Sequence, residues 1–231
     1  MSFGNVSAVL VHGAWADGSS WSKVIDRLKG QGINAIAAPL PLTSLRDDVA
    51  ALDRVLERIE GPVVLAGHAY AGAVIGSTRA GNVAALVYVA ALAPDEGEMV
   101  SDVFYRGETH PQAPQLAPDR HGWIWLPQEA FAQAFAQDAT PQEVAVLAAV
   151  QRPISVACIS EAVGRPLWKE RPSWFLVAEQ DRMINPANQH EMARRMNARV
   201  RSYQTDHTPL VTAADAVTHV IVEAIESVSV R

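Results

Sequence analysis

Apolar residues in the first 92 positions form short continuous runs, separated by segments in which apolar residues recur every three or four positions. The continuous runs contain no polar alternation, so they predict strands that are buried on both faces. Such strands are typical of a parallel sheet covered by helices. The predicted strands are 6–12, 33–38, 62–66 and 83–92, with two more near the C-terminus at 174–178 and 200–204.

Helical spacing fills the segments between these strands. In the clearest case an apolar stripe runs from Leu45 to Ile59, and either Thr43 or Ser44 can cap its N-terminus. Strand and helix therefore alternate, which predicts βαβ units with right-handed crossovers and an α/β fold. The predicted helices are 18–30, about 44–59, 69–80, about 186–196 and about 213–228.

Residues 95–168 differ in character from the segments on both sides. Proline and glutamine become frequent, and aromatic residues cluster in the sequence HGWIWLPQEAFAQAF. We interpret this segment as a cap, a loop followed by helices, inserted into a core formed by residues 1–94 and 169–231. With 231 residues and no internal repeat, the chain fits a single domain.

The composition is that of a globular protein, with 49% hydrophobic and 19% charged residues. A net charge of −6 offers no basic surface for phosphates, so we expect a small-molecule substrate and no nucleic acid partner. The single cysteine, Cys158, excludes an internal disulfide bond, and no signal-peptide pattern or membrane-length apolar run occurs. We therefore expect a cytoplasmic protein without a membrane partner, and a homodimer stays an open alternative.

The sequence Gly67-His68-Ala69-Tyr70-Ala71 lies between a predicted strand and a predicted helix. Small residues on both sides of the centre are typical of a nucleophile elbow, a tight turn that presents its central side chain at the C-terminal edge of the sheet. A nucleophile such as serine is expected at the centre, where this chain has alanine. Taken alone, the pattern also occurs as a packing motif.

Two other loops are predicted to meet the elbow at the same edge of the sheet. Asp181 and His207 each follow a C-terminal strand, and the order elbow, acid, histidine is one of the known orders of a catalytic triad. The sequence HGAW at 12–15 follows the first strand, a position from which a backbone N–H can stabilise an oxyanion. The predicted catalytic residues are Ala69, Asp181 and His207, and the predicted oxyanion hole consists of the N–H groups of Ala14 and Tyr70.

On these residues the chain resembles the compact α/β-hydrolases related to plant methylesterases and hydroxynitrile lyases, and more closely the short bacterial α/β-hydrolases. The similar stretches cover nearly the whole chain and include VLVHGAWADGSSW, GPVVLAGHAYAGAVI, ERPSWFLVAEQDRMI and DHTPLVTAADAV. The resemblance implies a mostly parallel sheet with helices on both faces and a small helical cap. It implies no particular substrate, because this fold supports many chemistries.

Asp95 and Asp206 are alternative candidates for the acid. Asp95 follows the strand before the cap, but Asp95-Glu96-Gly97 reads equally well as a turn. Asp206 adjoins His207, and continued strand geometry would direct its side chain to the opposite side. We prefer Asp181, because the strand before it and the proline five residues after it fit the family pattern. The family's lyases also have a lysine beside the histidine loop, which this chain lacks, so cyanohydrin cleavage is disfavoured.

The resemblance implies serine at position 69, and three interpretations of Ala69 follow. In the first, the protein is a carboxylic-ester or lactone hydrolase whose serine has been replaced, so that no acyl-enzyme forms. In the second, the enzyme natively lacks serine, and His207, oriented by Asp181, acts as general base or acid in a lyase, isomerase or water-activating hydrolase reaction. In the third, the protein is a non-catalytic homologue that binds a ligand.

The substrate pocket is expected to be apolar with a few polar groups, which suits small uncharged esters or lactones. The histidines show no metal-ligand spacing, and no phosphate-binding glycine motif follows the first strand. We therefore expect neither a metal nor a cofactor. The expected pocket residues are Trp15, His68, Phe104, Trp123 and Trp125.

Overall fold

A parallel β-sheet forms the core of the protein, as seen in a computed structural model that describes residues 5–229. The strands are β1 (Ser7–Val11), β2 (Asn34–Ala38), β3 (Val63–His68), β4 (Val83–Val89), β5 (Trp123–Ile124), β6 (Ile154–Ser155), β7 (Ser173–Ala178) and β8 (Arg199–Tyr203). The six strands of the large sheet lie side by side in the order β2-β1-β3-β4-β7-β8. Strands β5 and β6 form a separate antiparallel pair. Every pairing in the large sheet is parallel.

Helices cover this sheet in groups. The first helix packs against the last, and the second packs against the third, which itself contacts β3 and β4. The bounds are α1 (Ser22–Gly30), α2 (Leu45–Leu56), α3 (Ala71–Ser77), α4 (Val100–Phe104), α5 (Pro141–Ala149), α6 (Pro186–Arg195), α7 (Pro209–Thr212) and α8 (Ala214–Ser229). The predicted fold class, a mostly parallel sheet with helices around it, is confirmed.

Burial explains why the apolar runs form these strands. Every residue of β1, β3 and β7 is buried, as expected for strands covered on both faces. The edge strand β8 is different, because Arg199 and Arg201 are exposed. Charged residues on an edge strand disfavour pairing with another chain.

The start of α2 decides between the two predicted caps. The side chain of Ser44 accepts a hydrogen bond from the N–H of Asp47 at 3.0 Å, so Ser44 is the N-cap. Thr43 instead donates its hydroxyl to the carboxylate of Asp47 at 2.7 Å. Asp48, the residue after Asp47, is fully buried, whereas Asp47 itself is exposed to solvent.

The segment between β4 and β7 contains the residues that we predicted as a cap. It holds the short helix α4, a π-helical turn at Phe131–Phe135, helix α5, and 3₁₀ turns at Val156–Cys158 and Leu167–Lys169. It also contains the β5–β6 pair, which the sequence did not predict. Helix α5 begins with a capping box in which Thr140 and Glu143 satisfy each other's backbone N–H groups.

The topology brings several loops to one edge of the sheet. The chain passes from β1 to its neighbour β2 at the sheet edge, and then returns to β3 on the other side of β1. Ligands of open α/β sheets bind at the carboxyl ends of the strands beside such a reversal. Among residues 5–229, no helix combines the length and the apolar character needed to cross a membrane.

Candidate active site

The turn between β3 and α3 holds Ala69 in an unusual backbone conformation. Its φ is +50°, in the left-handed region that residues other than glycine rarely adopt. The turn is held because the carbonyl oxygen of Ala69 accepts hydrogen bonds from the N–H groups of Leu92 (3.0 Å) and Gly72 (3.1 Å). Strained backbone of this kind is typical of functional sites, and it directs the Cβ of Ala69 toward the cavity described below.

Close packing at the elbow requires the small residues around it. An ideal Cβ on Gly67 would lie 2.9 Å from the carbonyl oxygen of Ala71, and one on Gly72 would lie 3.0 Å from the Cβ of Ala91 and directly against the carbonyl oxygen of Leu92. The backbone around the elbow therefore approaches its neighbours to a distance that only glycine allows.

Gly72→Ala is expected to lower the free energy of unfolding by at least about 2 kcal/mol, because the added methyl group meets backbone atoms that cannot move independently. Gly81→Ala is the matched control, since an ideal Cβ there has no heavy atom within 4 Å, and its effect should stay within about 0.5 kcal/mol. Urea denaturation of both variants measures the difference. Equal stabilities would contradict the packing argument.

The pair Asp181–His207 is assembled and buried. The Nδ1 of His207 lies 2.8 Å from Oδ2 of Asp181, and both side chains are at most 2% exposed. Oδ1 of Asp181 accepts the N–H groups of Met183 (2.7 Å) and Ile184 (2.9 Å), and Oδ2 also accepts from Nε2 of Gln189 (2.8 Å). With four donors around it, the carboxylate is held in one orientation, and it fixes the ring of His207 in turn.

The loops after β7 and β8 deliver these two residues to the elbow. The loops are joined directly, because the N–H of Gln180 donates to the carbonyl oxygen of Thr205 at 3.1 Å. His207 lines the same cavity as Ala69. Its Nε2 has no hydrogen-bond partner among the described residues, so it is available to a group in the cavity.

Neither alternative acid reaches His207. Asp95 forms an ion pair with Lys169 at 2.5 Å and lies partly exposed. Asp206 is fully buried and directed away, where Oδ1 accepts from Thr212 (2.6 Å) and the N–H of Thr208 (3.1 Å). Burial raises the pKa of Asp206.

The two predicted oxyanion donors are both free of protein partners. The N–H groups of Ala14 and Tyr70 have no hydrogen-bond acceptor among the described residues, and both residues line the cavity. By contrast, the N–H of the next residue, Trp15, donates to the carbonyl oxygen of Arg152 at 3.0 Å. Gly13 lets this loop approach the elbow, since an ideal Cβ on it would lie 3.0 Å from that of Ala69. Two unpaired N–H groups beside the elbow suit a developing oxyanion.

The side chains of Tyr70 and Cys158 cannot replace a missing nucleophile. The hydroxyl of Tyr70 donates to Oδ2 of Asp48 at 2.7 Å, and burial, followed by the charge of Asp48, raises its pKa well above the usual value. Cys158 is fully buried with its Sγ 3.6 Å from the same carboxylate oxygen, and burial raises the pKa of its thiol to about 12. A thiol with such a pKa is not a thiolate at neutral pH.

His68 lies behind the elbow rather than in the pocket, which corrects our expectation for this residue. It is fully buried, and its Nε2–H donates to the carbonyl oxygen of His207 at 2.7 Å. Side chains of successive strand residues point to opposite faces, so His68 at the end of β3 packs under the histidine loop. Burial, together with the nearby His207, holds the pKa of His68 well below its usual value.

The neutral state of His68 predicts a pH dependence of stability. Its folded-state pKa is lower than the unfolded value of about 6.5, so below that pH the unfolded chain binds a proton that the folded chain does not. The free energy of unfolding should therefore fall as the pH drops below about 6.5, by up to about 1.4 kcal/mol per pH unit for this group. Urea titrations at several pH values measure this slope.

His68→Gln is the matched variant for that titration, because its amide can still donate to His207 but does not ionise. The pH dependence should be shallower in this variant. His12, which is also buried with a lowered pKa, contributes equally to both proteins. Parallel stability curves for the two proteins would show that His68 does not titrate on unfolding.

We name the cavity at the elbow the elbow cavity. Its floor consists of Ala14, Trp15, Ala69, Tyr70 and His207, and α4 of the cap contributes Val100, Ser101 and Phe104. Its volume is about 50 Å³, and its mouth opens to solvent. No arginine, lysine, aspartate or glutamate lines it.

The structure places Trp123 and Trp125 outside the elbow cavity, which corrects two further expectations. Ile124, between them on β5, lines the cavity, whereas both tryptophans line a surface groove with Pro41 and Pro153. Side chains alternate between the two faces of an extended chain. Ile124 therefore faces the cavity, and the residues on either side of it point the other way. Trp15 and Phe104, by contrast, line the cavity, and Nε1 of Trp15 donates to the carbonyl oxygen of Ile124 at 3.0 Å.

Sequence reasoning missed most of the aliphatic wall. Met183 and Ile184 could have been found, because they directly follow the acid and their N–H groups hold it. The cap residues carry no comparable signal in the sequence; they are Leu116, Ile124, Ile154 and Ile159. Within residues 5–229, no group of three or more His, Cys, Asp or Glu side chains could hold a metal ion.

The sheet topology, the elbow and the Asp181–His207 pair together are those of an α/β-hydrolase. The model of the Alpha/beta hydrolase family matches residues 8–220, so the chain belongs to this family. No curated protein sequence matches the chain.

Solved structures that share the fold include several esterases. A pyrethroid hydrolase from Sphingobium faniae JZ-2 is 20% identical, with a TM-score of 0.82 over 96% of this chain and 98% of that chain. Polyneuridine aldehyde esterase is 17% identical, with a TM-score of 0.78 over 95% and 99%. A methylesterase from Arabidopsis is 14% identical, with a TM-score of 0.77 over 96% and 99%. At these identities the similarity establishes the fold alone.

Proposed function

We propose that the elbow cavity binds small, uncharged carboxylic esters or lactones, in a site arranged for acyl transfer in which Ala69 occupies the position of the nucleophile. The observation that carries this proposal is that two unpartnered N–H groups, those of Ala14 and Tyr70, line the same cavity as His207, which Asp181 holds in place. An ester carbonyl oxygen only accepts hydrogen bonds, and it can accept two. The two free N–H groups are donors that match it.

The walls of the elbow cavity support the substrate class. They are mostly aliphatic and aromatic, and no arginine or lysine lines them, so a phosphate or dicarboxylate would find no counter-charge. Three structural neighbours are a pyrethroid hydrolase, polyneuridine aldehyde esterase and a methylesterase, and these names are consistent with an ester substrate.

A second candidate function uses the histidine without a nucleophile. Nε2 of His207 is free of protein partners and faces the cavity, while Asp181 holds the ring through Nδ1. In this reaction His207 would take a proton from a water molecule or from a carbon next to a carbonyl group, and the two N–H groups would stabilise the resulting oxyanion. The free Nε2 favours this candidate over a protein that only binds a ligand.

The test compares this chain with Ala69→Ser, using a fluorophosphonate probe that labels activated serine. Under the first proposal, Ala69→Ser is labelled, whereas this chain and the double variant Ala69→Ser/His207→Ala are not. A folded Ala69→Ser protein that stays unlabelled would contradict a site arranged for acyl transfer. Turnover by the unmodified chain that is lost in His207→Ala would instead support the second candidate.

A further inference from the structure

The elbow cavity contains very few polar side-chain atoms that a ligand could bind directly. The hydroxyl of Tyr70 is committed to Asp48, and Nε1 of Trp15 donates to the carbonyl oxygen of Ile124. His207 uses Nδ1 for Asp181 and keeps Nε2 for the reacting group. Two hydroxyl groups are left among the cavity's side chains, those of Ser101 and Tyr105, and neither has a hydrogen-bond partner among the described residues.

Ser101 lies in the cap helix α4, and Tyr105 is the residue that directly follows this helix. The N–H of Tyr105 donates to the carbonyl oxygen of Ser101 at 3.1 Å, so the residues are one helical turn apart. Both residues line the elbow cavity. Ser101 is partly buried inside the cavity, whereas Tyr105 is 53% exposed at its mouth.

Local contacts hold these two residues in position before any ligand binds. The N–H of Ser101 donates to the carbonyl oxygen of Ile159 at 3.0 Å, and the carboxylate of Asp102 accepts the N–H of Met99 at 2.8 Å, which caps α4. The ring of Tyr105 packs edge-on against Phe104, with ring centroids 4.9 Å apart. Binding therefore orders few additional side chains, which favours affinity.

We propose that Ser101 and Tyr105 select the ligand, by donating hydrogen bonds to one oxygen atom in the part of the molecule that does not react. This inference deepens the proposed function and rests on it. The class of substrate is then an ester or lactone that carries, on an otherwise apolar body, an ether, ketone or hydroxyl oxygen in addition to its reacting group. A ligand without that oxygen covers the Ser101 hydroxyl with apolar atoms and leaves it unpaired, which costs binding free energy.

The test measures binding to the unmodified chain, whose alanine at the elbow prevents an acyl-enzyme, by isothermal titration calorimetry. The probes are methyl methoxyphenylacetates, with the methoxy group at each of the three ring positions, and the matched methyl ethylphenylacetates, in which CH₂ replaces the ether oxygen. At one ring position or more, the methoxy ester should bind roughly 3- to 10-fold more tightly than its ethyl counterpart. Ser101→Ala or Tyr105→Phe should remove that preference. Ser101→Ala should also bind the ethyl ester more tightly than the unmodified chain does, because no buried hydroxyl is then left unpaired.

Ser160→Ala is the control, because Ser160 lies in the cap but donates to the carbonyl oxygen of Val156 outside the cavity. It should retain the full preference. If both esters bind but the preference is absent, or persists in both Ser101→Ala and Tyr105→Phe, the hydroxyl pair does not select ligands and the proposed function stands. If no ester binds to the folded chain at any accessible concentration, the proposed function fails and the inference fails with it.

Discussion

Ala69→Ser is expected to increase ester hydrolysis by roughly 10³- to 10⁶-fold, the range by which removal of a serine nucleophile lowers the rate in serine hydrolases. Under the proposed function, the other groups that acyl transfer would use are already in position. The Cβ of Ala69 faces the elbow cavity, and serine can keep the same φ of +50° under the same two backbone hydrogen bonds.

The introduced hydroxyl would act through groups that are present. Its oxygen attacks the ester carbonyl carbon while Nε2 of His207 takes its proton, and the carbonyl oxygen becomes an oxyanion that accepts from the N–H groups of Ala14 and Tyr70. The alcohol leaves with the proton from His207, and a water molecule then releases the acid by the same steps. Hydrolysis of p-nitrophenyl acetate and butyrate measures the gain.

The double variant Ala69→Ser/His207→Ala is the control for this gain, because it contains the same serine without its base. Its rate should stay close to that of the unmodified chain. If Ala69→Ser folds and binds the ester but hydrolyses it no faster, the cavity is not arranged for acyl transfer. Reactions that depend on proton transfer by His207 would then become the leading explanation of the Asp181–His207 pair.

The core of the fold could be predicted because its strands are uninterrupted apolar runs. Strands β1, β3 and β7 begin and end within three residues of the predicted bounds, since Gly, Pro or polar residues stop each run. Helix α3 is shorter than the predicted 69–80, because residues 69 and 70 form the elbow and Thr78 is already extended. Such differences concern element ends, where local propensity is weak.

The cap could not be predicted to the same depth. Strands β5 and β6 have two residues each, and a pair this short is stable only because the core beneath it buries Ile124 and Ile154. The sequence does not indicate that Trp123 and Ile124 lie in a strand, so it could not predict which of the two side chains faces the cavity. The tryptophans were predicted to line the pocket because they are large and aromatic, but Ile124 is the residue of this segment that lines the cavity.

The loops of the candidate site were predictable for a topological reason. Residues that follow parallel strands must meet at one edge of the sheet, so Ala69, Asp181 and His207 could be grouped from their places after predicted strands. The hydrogen bond from Gln189 to Asp181 was not predictable, because Gln189 lies eight residues further along the chain, in α6, and reaches back to the carboxylate. No motif around Gln189 in the sequence indicates that its side chain contacts the acid.

Asp181→Asn, made together with Ala69→Ser, is expected to remove most of the gain from Ala69→Ser and to lower kcat by up to roughly 10⁴-fold, as loss of the acid does in serine proteases. All four partners of Asp181 donate hydrogen bonds: the N–H groups of Met183 and Ile184, the amide of Gln189, and Nδ1–H of His207. The NH₂ group of asparagine must face either the first two or the last two of these donors.

Each orientation of the asparagine has a defined consequence. If the NH₂ group faces His207, it donates to Nδ1, so the ring proton moves to Nε2 and the histidine can no longer take a proton from serine. If it faces the N–H groups of Met183 and Ile184, those buried donors lose their acceptor and the loop that carries the acid is destabilised. Steady-state kinetics should therefore show a large loss in kcat. Asp95→Asn in the same background is the control, because Asp95 pairs with Lys169 on the surface, and an equal loss there would transfer the role of the acid to Asp95.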